Sequence, residues 1–202
     1  MIRIITTSVI LLALAAAPVA AQQAAPAPAP ALGGPVVPGV CLLSREAVFA
    51  NAAVGKAVSA RIAELTRAAQ AEVDQQRTPL EAEAKALAAQ GDDTKTKPRR
   101  DALATRWQAL QRQAAQGSRE IDATRAKALA RVADEAQPVI AKVYGERKCG
   151  LLFDRGALLG GNFANDLTAD VVKALDARIT TIQFEREKLD QPAAERNSPG
   201  TE

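Results

Sequence analysis

Between Arg45 and Lys148 the chain is built almost wholly from Ala, Leu, Gln, Glu, Lys and Arg, with one strong breaker, Gly91-Asp92-Asp93-Thr94-Lys95-Thr96-Lys97-Pro98. Straight-chain residues lose little rotamer freedom in a helix, whereas strands draw on β-branched and aromatic residues that are scarce here. The stretch therefore reads as two long helices folded back around one tip. Short apolar runs flank it, Val40-Cys41-Leu42-Leu43 before and Cys149-Gly150-Leu151-Leu152-Phe153-Asp154 after. A long arm growing out of a small sheet is a shape for gripping rather than for turning over a substrate.

Apolar spacing supports the hairpin. In the outgoing arm Val58, Ile62, Leu65 and Ala69 step by fours and threes, and Val73, Leu80 and Leu87 then recur by sevens. The returning arm carries Leu103, Trp107, Leu110, Ala114, Gly117, Ile121, Thr124, Ala128, Val132, Ala136, Val139 and Val143 on one stripe. Such alternation is the seam of a coiled coil. Many seam residues are small, so the helices approach closely but bury little area per turn. Trp107 sits on the seam as a packing residue. Pro79 and Pro138 fall inside the arms, and each removes a helical hydrogen bond, so a kink or hinge is expected at both.

The predicted fold is mainly α with a small β body, the antiparallel hairpin being inserted between short strands. Residues 40–54 and 149–182 form the body and 55–148 the arm, with its tip at 91–98. Ser44 is placed to cap a first short helix carrying Val48 and Phe49, and Asn51 and Gly55 suggest an irregularity before the long helix. Ala157-Leu158-Leu159 reads as a third strand. Asp166 then caps a closing helix through Leu167, Val171, Leu175, Ile179 and Ile182. Residues 183–202 are polar, with Pro192 and Pro199, and read as a disordered tail. At the other end, Met1-Ile2-Arg3, an apolar run to Ala17 and Val19-Ala20-Ala21 make residues 1–21 a cleaved signal peptide. The Ala/Pro-rich stretch 22–39 reads as a disordered leader. Export from the cytoplasm follows.

The formal net charge is +3. It is unevenly spread, with six basic and six acidic residues over Arg45–Gln90 but eleven against six over Arg99–Lys148. A modest basic surplus favours acidic surfaces without naming one, and nothing points to nucleic acid. The chain has no histidine, which removes the commonest general base and metal ligand. It has two cysteines, too few for a zinc site, and no phosphate-binding glycine loop. No cofactor and no enzymatic activity are expected.

Cys41 and Cys149 stand at opposite ends of the hairpin, each in or beside a strand candidate. If those strands are neighbours the thiols meet at the arm's root, and an oxidising compartment favours a disulfide over two separate buried thiols. Lys95, Lys97, Arg99 and Arg100 cluster at the tip among Asp92, Asp93 and Asp101. They could touch anionic lipid headgroups or acidic parts of a bound protein, or simply keep a turn soluble. The assembly core is expected from Leu42, Phe49, Leu151, Leu152, Phe153, Val171 and Leu175.

The order of these parts resembles the OmpH/Skp family of periplasmic chaperones. The matching segments are Val40–Gly55 and Pro138–Leu175, with Gly150-Leu151-Leu152-Phe153-Asp154 following Val143 and the entry Asp166-Leu167-Thr168-Ala169-Asp170. The resemblance implies a homotrimer whose strands assemble a shared β body. Three arms would project around a cavity that holds unfolded outer-membrane β-barrel proteins without ATP. Two other roles fit the residues alone: a structural coiled-coil protein that tethers or spaces envelope partners, and a lipid- or lipopolysaccharide-binding module acting through the tip.

Overall fold

The computed structural model describes residues 33–91 and 93–190. The expected signal peptide, most of the expected leader and the chain beyond 190 lie outside the described residues. Strand β1 (Val40–Leu43) pairs in parallel with β2 (Leu151–Asp154), Val40 opposite Leu151 and Leu43 opposite Asp154. Parallel neighbours require a long crossover. Here the crossover is the entire hairpin, made of α1 (Arg45–Asn51), α2 (Ala53–Ala89) and α3 (Lys97–Glu146).

Ser44 starts α1 as its composition suggests, its Oγ accepting from the Ala47 amide at 3.1 Å. The irregularity before the long helix is a single extended residue, Ala52, with ψ 144°. Gly55 explains how tightly the two helices meet there: a Cβ at this position would fall 1.8 Å from the Phe49 carbonyl oxygen. Ala52 offers α2 no side-chain cap. A carboxylate from the far end of the chain does so instead, the Ala53 amide donating to Asp176 Oδ1 at 2.7 Å.

With 37 and 50 residues, α2 and α3 extend about 55 and 75 Å at 1.5 Å per residue. The predicted seam is the buried stripe. Val58, Ile62, Val73, Leu80 and Leu87 of α2 are buried, as are Leu103, Leu110, Ile121, Thr124, Ala128, Val132, Ala136, Val139 and Val143 of α3. Both prolines lie within uninterrupted helices, so neither is a break. The missing hydrogen bond at Pro79 is local, and Leu80 beside it is held in an apolar cluster with Leu103 and Leu110. The tip turn is shorter than expected, because Lys97 and Pro98 already belong to α3. Proline suits a first helical turn, where its missing N–H has no partner to lose.

Two apolar clusters hold the molecule together. One near the tip joins Val73, Leu80, Leu87, Leu103 and Leu110. The larger one lies at the root, where Val171 and Leu175 of α4 (Thr168–Arg178) join Val54, Val58, Val139 and Val143 in one core. The carboxylate of Asp166 accepts from the Thr168 amide at 2.8 Å, the capping role read from sequence, although Leu167 is the last residue before the helix.

Three expectations need correction. Residues 157–159 form no strand: Arg155–Ala157 is a 3-10 turn, and the second edge of β1 is taken by the Asn165–Leu167 backbone. The Leu42 amide donates to the Asn165 carbonyl at 3.1 Å, and the Leu42 carbonyl accepts from Leu167 at 2.9 Å. The closing helix ends at Arg178, with Ile179 extended. Ile179-Thr180-Thr181-Ile182 is a run of β-branched residues, which lose χ1 freedom in a helix. Finally, the ends nearest the body are not loose. Gly39, at φ 75°, accepts from the Gly150 and Leu151 amides at 2.7 and 2.9 Å, and Asn162 and Asn165 donate to Gly34 and Val37 carbonyls. Residues 183–190, expected as part of the tail, lie along the hairpin.

Candidate functional site

Cys41 and Cys149 form the expected disulfide, their Cα atoms 5.7 Å apart across a sequence separation of 108. The end of α3 places the second cysteine. Lys148 takes a left-handed conformation, φ 53°, and its amide donates to Gly145 O at 3.0 Å. The Cys149 amide donates to Tyr144 O at 3.1 Å, completing a Schellman turn that directs the chain into β2. Closing so long a loop stabilises the fold by about 4–5 kcal/mol in the chain-entropy model.

The expected assembly residues divide into two groups. Leu42, Val171 and Leu175 are buried within the chain, and Phe49 is half-buried against the root cluster. Leu151, Leu152 and Phe153, read from sequence as a buried strand, are exposed by 56%, 36% and 44%. Alternate residues of a strand face opposite sides. Three consecutive exposed apolar residues therefore leave both faces of β2 uncovered in the single chain. The outer edge of β2 has no strand partner among the described residues, since the sheet has only two strands. Val37, Leu158, Leu159 and Phe163, in segments flanking the sheet, are exposed as well.

At the tip, local partners take up much of the basic cluster. Lys97 pairs with Asp101 at 2.9 Å, Arg99 donates to Gln90 Oε1 at 3.5 Å, and Arg100 donates to the Gly91 carbonyl. Lys95 is exposed, and its amide donates to Asp93 Oδ1. The arrangement is that of a turn braced by its own charges.

Sequence reasoning missed the segment after Ile182. Ile179, Ile182 and Phe184 pack on the root cluster, and the chain continues along α3. Arg186 bridges the two arms, reaching Glu72 of α2 at 3.0 Å and Glu120 of α3 at 3.3 Å. The Glu187 amide donates to Thr124 Oγ1 at 2.9 Å. Thr124 and Glu120 are the buried polar side chains of this seam, with Thr124 2% exposed. Two signals were present in the sequence: a threonine on an otherwise apolar stripe, and the period-two spacing of Ile182 and Phe184.

Near the root, burial of the Asp166 carboxyl opposes its ionisation. Hydrogen bonds from Thr168 and the nearby Arg155 guanidinium outweigh that cost, and hold its pKa below the ordinary carboxylate range. Among the described residues no group of three His, Cys, Asp or Glu side chains is placed to hold a metal, and no helix is long and apolar enough to cross a membrane.

The profile of the family described as outer membrane protein (OmpH-like) matches residues 39–175. A solved structure of a candidate outer membrane chaperone (OmpH-like) from Caulobacter crescentus CB15 is 41% identical, with a TM-score of 0.71. The alignment covers 79% of this chain and 96% of that one. No curated protein matches this chain.

Proposed function

Because the chain belongs to the OmpH-like outer membrane protein family, we propose that it is an ATP-independent periplasmic holdase for unfolded outer-membrane β-barrel proteins. The observation that carries the reading is the likeness, over 79% of this chain and 96% of the other, to a candidate OmpH-like outer membrane chaperone. The physical form agrees with the role. A hairpin with a thin, small-residue seam gives many weak contacts and can flex around clients of different size. Three such arms would add avidity that no single contact has.

The same reading gives the uncovered β2 strand a purpose. An unpaired apolar edge is a template for another chain. In a homotrimer, Leu151, Leu152 and Phe153 would be buried between subunits and the arms would surround a shared cavity. Light scattering on the mature protein should return three protomers; a monomer or dimer would remove the cavity. Diluting a urea-denatured β-barrel protein into buffer, with and without one trimer per client, tests the activity. Aggregation should be largely suppressed, and unchanged turbidity at several-fold excess would end the holdase reading.

A further inference from the structure

We propose that the face of the hairpin covered by residues 183–190 is a binding surface for extended, unfolded polypeptide, and that the chain's own C-terminal segment occupies it as a displaceable substitute. The proposal deepens the holdase reading and rests on it, by naming where on the arm a client strand would lie.

Besides the packing of Phe184 on the root cluster and the ion pairs of its charged side chains, this segment is held by contacts directed at its main chain. Arg131 donates to the Gln183 carbonyl at 2.7 Å, and Arg61 to the Phe184 carbonyl at 3.5 Å. Thr124 Oγ1 accepts from the Glu187 amide at 2.9 Å and Glu120 Oε1 from the Leu189 amide at 3.4 Å. Gln116 donates to the Leu189 carbonyl at 2.7 Å. Four of these five side chains stand on α3, and the segment runs antiparallel to that helix. Geometry favours the match. Residues 183 to 189 of an extended chain span about 20 Å at 3.3 Å per residue, and Gln116 to Arg131 span about 22 Å of helix.

Main-chain donors and acceptors are the same in every residue but proline, so a surface that reads them is tolerant of sequence. An unfolded client offers the same groups. What distinguishes the chain's own segment is Phe184 on the root cluster and a set of ion pairs: Glu185 with Arg61, Glu187 with Lys127, and Arg186 with Glu72 and Glu120. Each of the first two has one largely exposed partner, and such pairs are weak and salt-screened, whereas Arg186 and Glu120 are mostly buried. Tethering adds to these contacts by keeping the segment's local concentration high, so that a competing strand must reach a comparable concentration to displace it.

The test compares the mature chain with a variant ending at Ile182, using two labelled peptides, one with the sequence of residues 183–190 and one a scramble of it. Fluorescence anisotropy should show both peptides binding the shortened variant with affinities within about threefold of each other. The full chain should bind each at least about tenfold more weakly, because its own segment competes. Adding T124V to the shortened variant should weaken both. Absence of binding, or binding of the native peptide alone, would overturn the proposal. Should the shortened variant not fold, Arg186→Ala in the full chain loosens the segment without removing it. Peptide affinity should then rise, and unchanged affinity would also overturn the proposal. Suppression of client aggregation without peptide binding sinks this surface but leaves the holdase reading intact. Peptide binding without suppression does the reverse.

Discussion

Asp166 links three parts of the root through one short side chain. It caps α4 at Thr168, pairs with Arg155 at 2.8 Å and lies in the backbone bridge to Leu42. Its pKa is depressed on folding, so its contribution is fully present above the unfolded carboxylate value, near 3.9, and is lost as pH falls through the lower folded value. Urea denaturation followed from pH 5 downward should show stability declining in the acid limb. Asp166→Asn keeps an acceptor for the Thr168 amide and should flatten that limb; an identical pH slope in the variant would contradict the assignment. At this scale the sequence was legible wherever a residue type has few uses. Two cysteines flanking an insertion, a serine before a helix and an aspartate before another all do what their chemistry suggests. Thr124 was not legible, because a threonine on a seam looks like a spacer until its hydroxyl is seen to accept an amide 63 residues away.

Among the elements, the two long helices could be read because their periodicity is local and repeated over many turns. Their ends could not, because ends are settled by what arrives from elsewhere in the chain. Asp176 caps α2 from another helix, and β2 is uncovered on both faces despite looking like a buried strand. Helix α4 stops where β-branched residues begin, a local signal outweighed in the reading by apolar spacing. The C-terminal end of α3 offers a test. Lys148 occupies the left-handed position of its terminal turn, a conformation that costs a residue with a Cβ about 1–2 kcal/mol. Lys148→Gly should therefore raise unfolding free energy by about 1 kcal/mol, part of the relief being offset by the greater freedom of glycine in the unfolded chain. Thermal unfolding checks this, and a lowered midpoint would show that the lysine side chain contributes more than its backbone costs.

For the whole molecule, stability and shape meet at the root. The arms share a thin seam, while β1, β2, α4 and the disulfide gather distant pieces of sequence into one small body. Replacing both cysteines by serine should lower unfolding free energy by about 4 kcal/mol if the unfolded chain gains the full loop freedom. Chemical denaturation of the oxidised protein against the double variant measures the difference, and equal midpoints would show that the body needs no covalent tie. The bond also changes what breakage means for this protein. A protease that cuts the peptide backbone anywhere between Leu42 and Lys148 severs an arm but not the molecule, because both fragments remain joined through sulfur. Damage to an arm would thus leave the subunit in one piece until a reductant arrives.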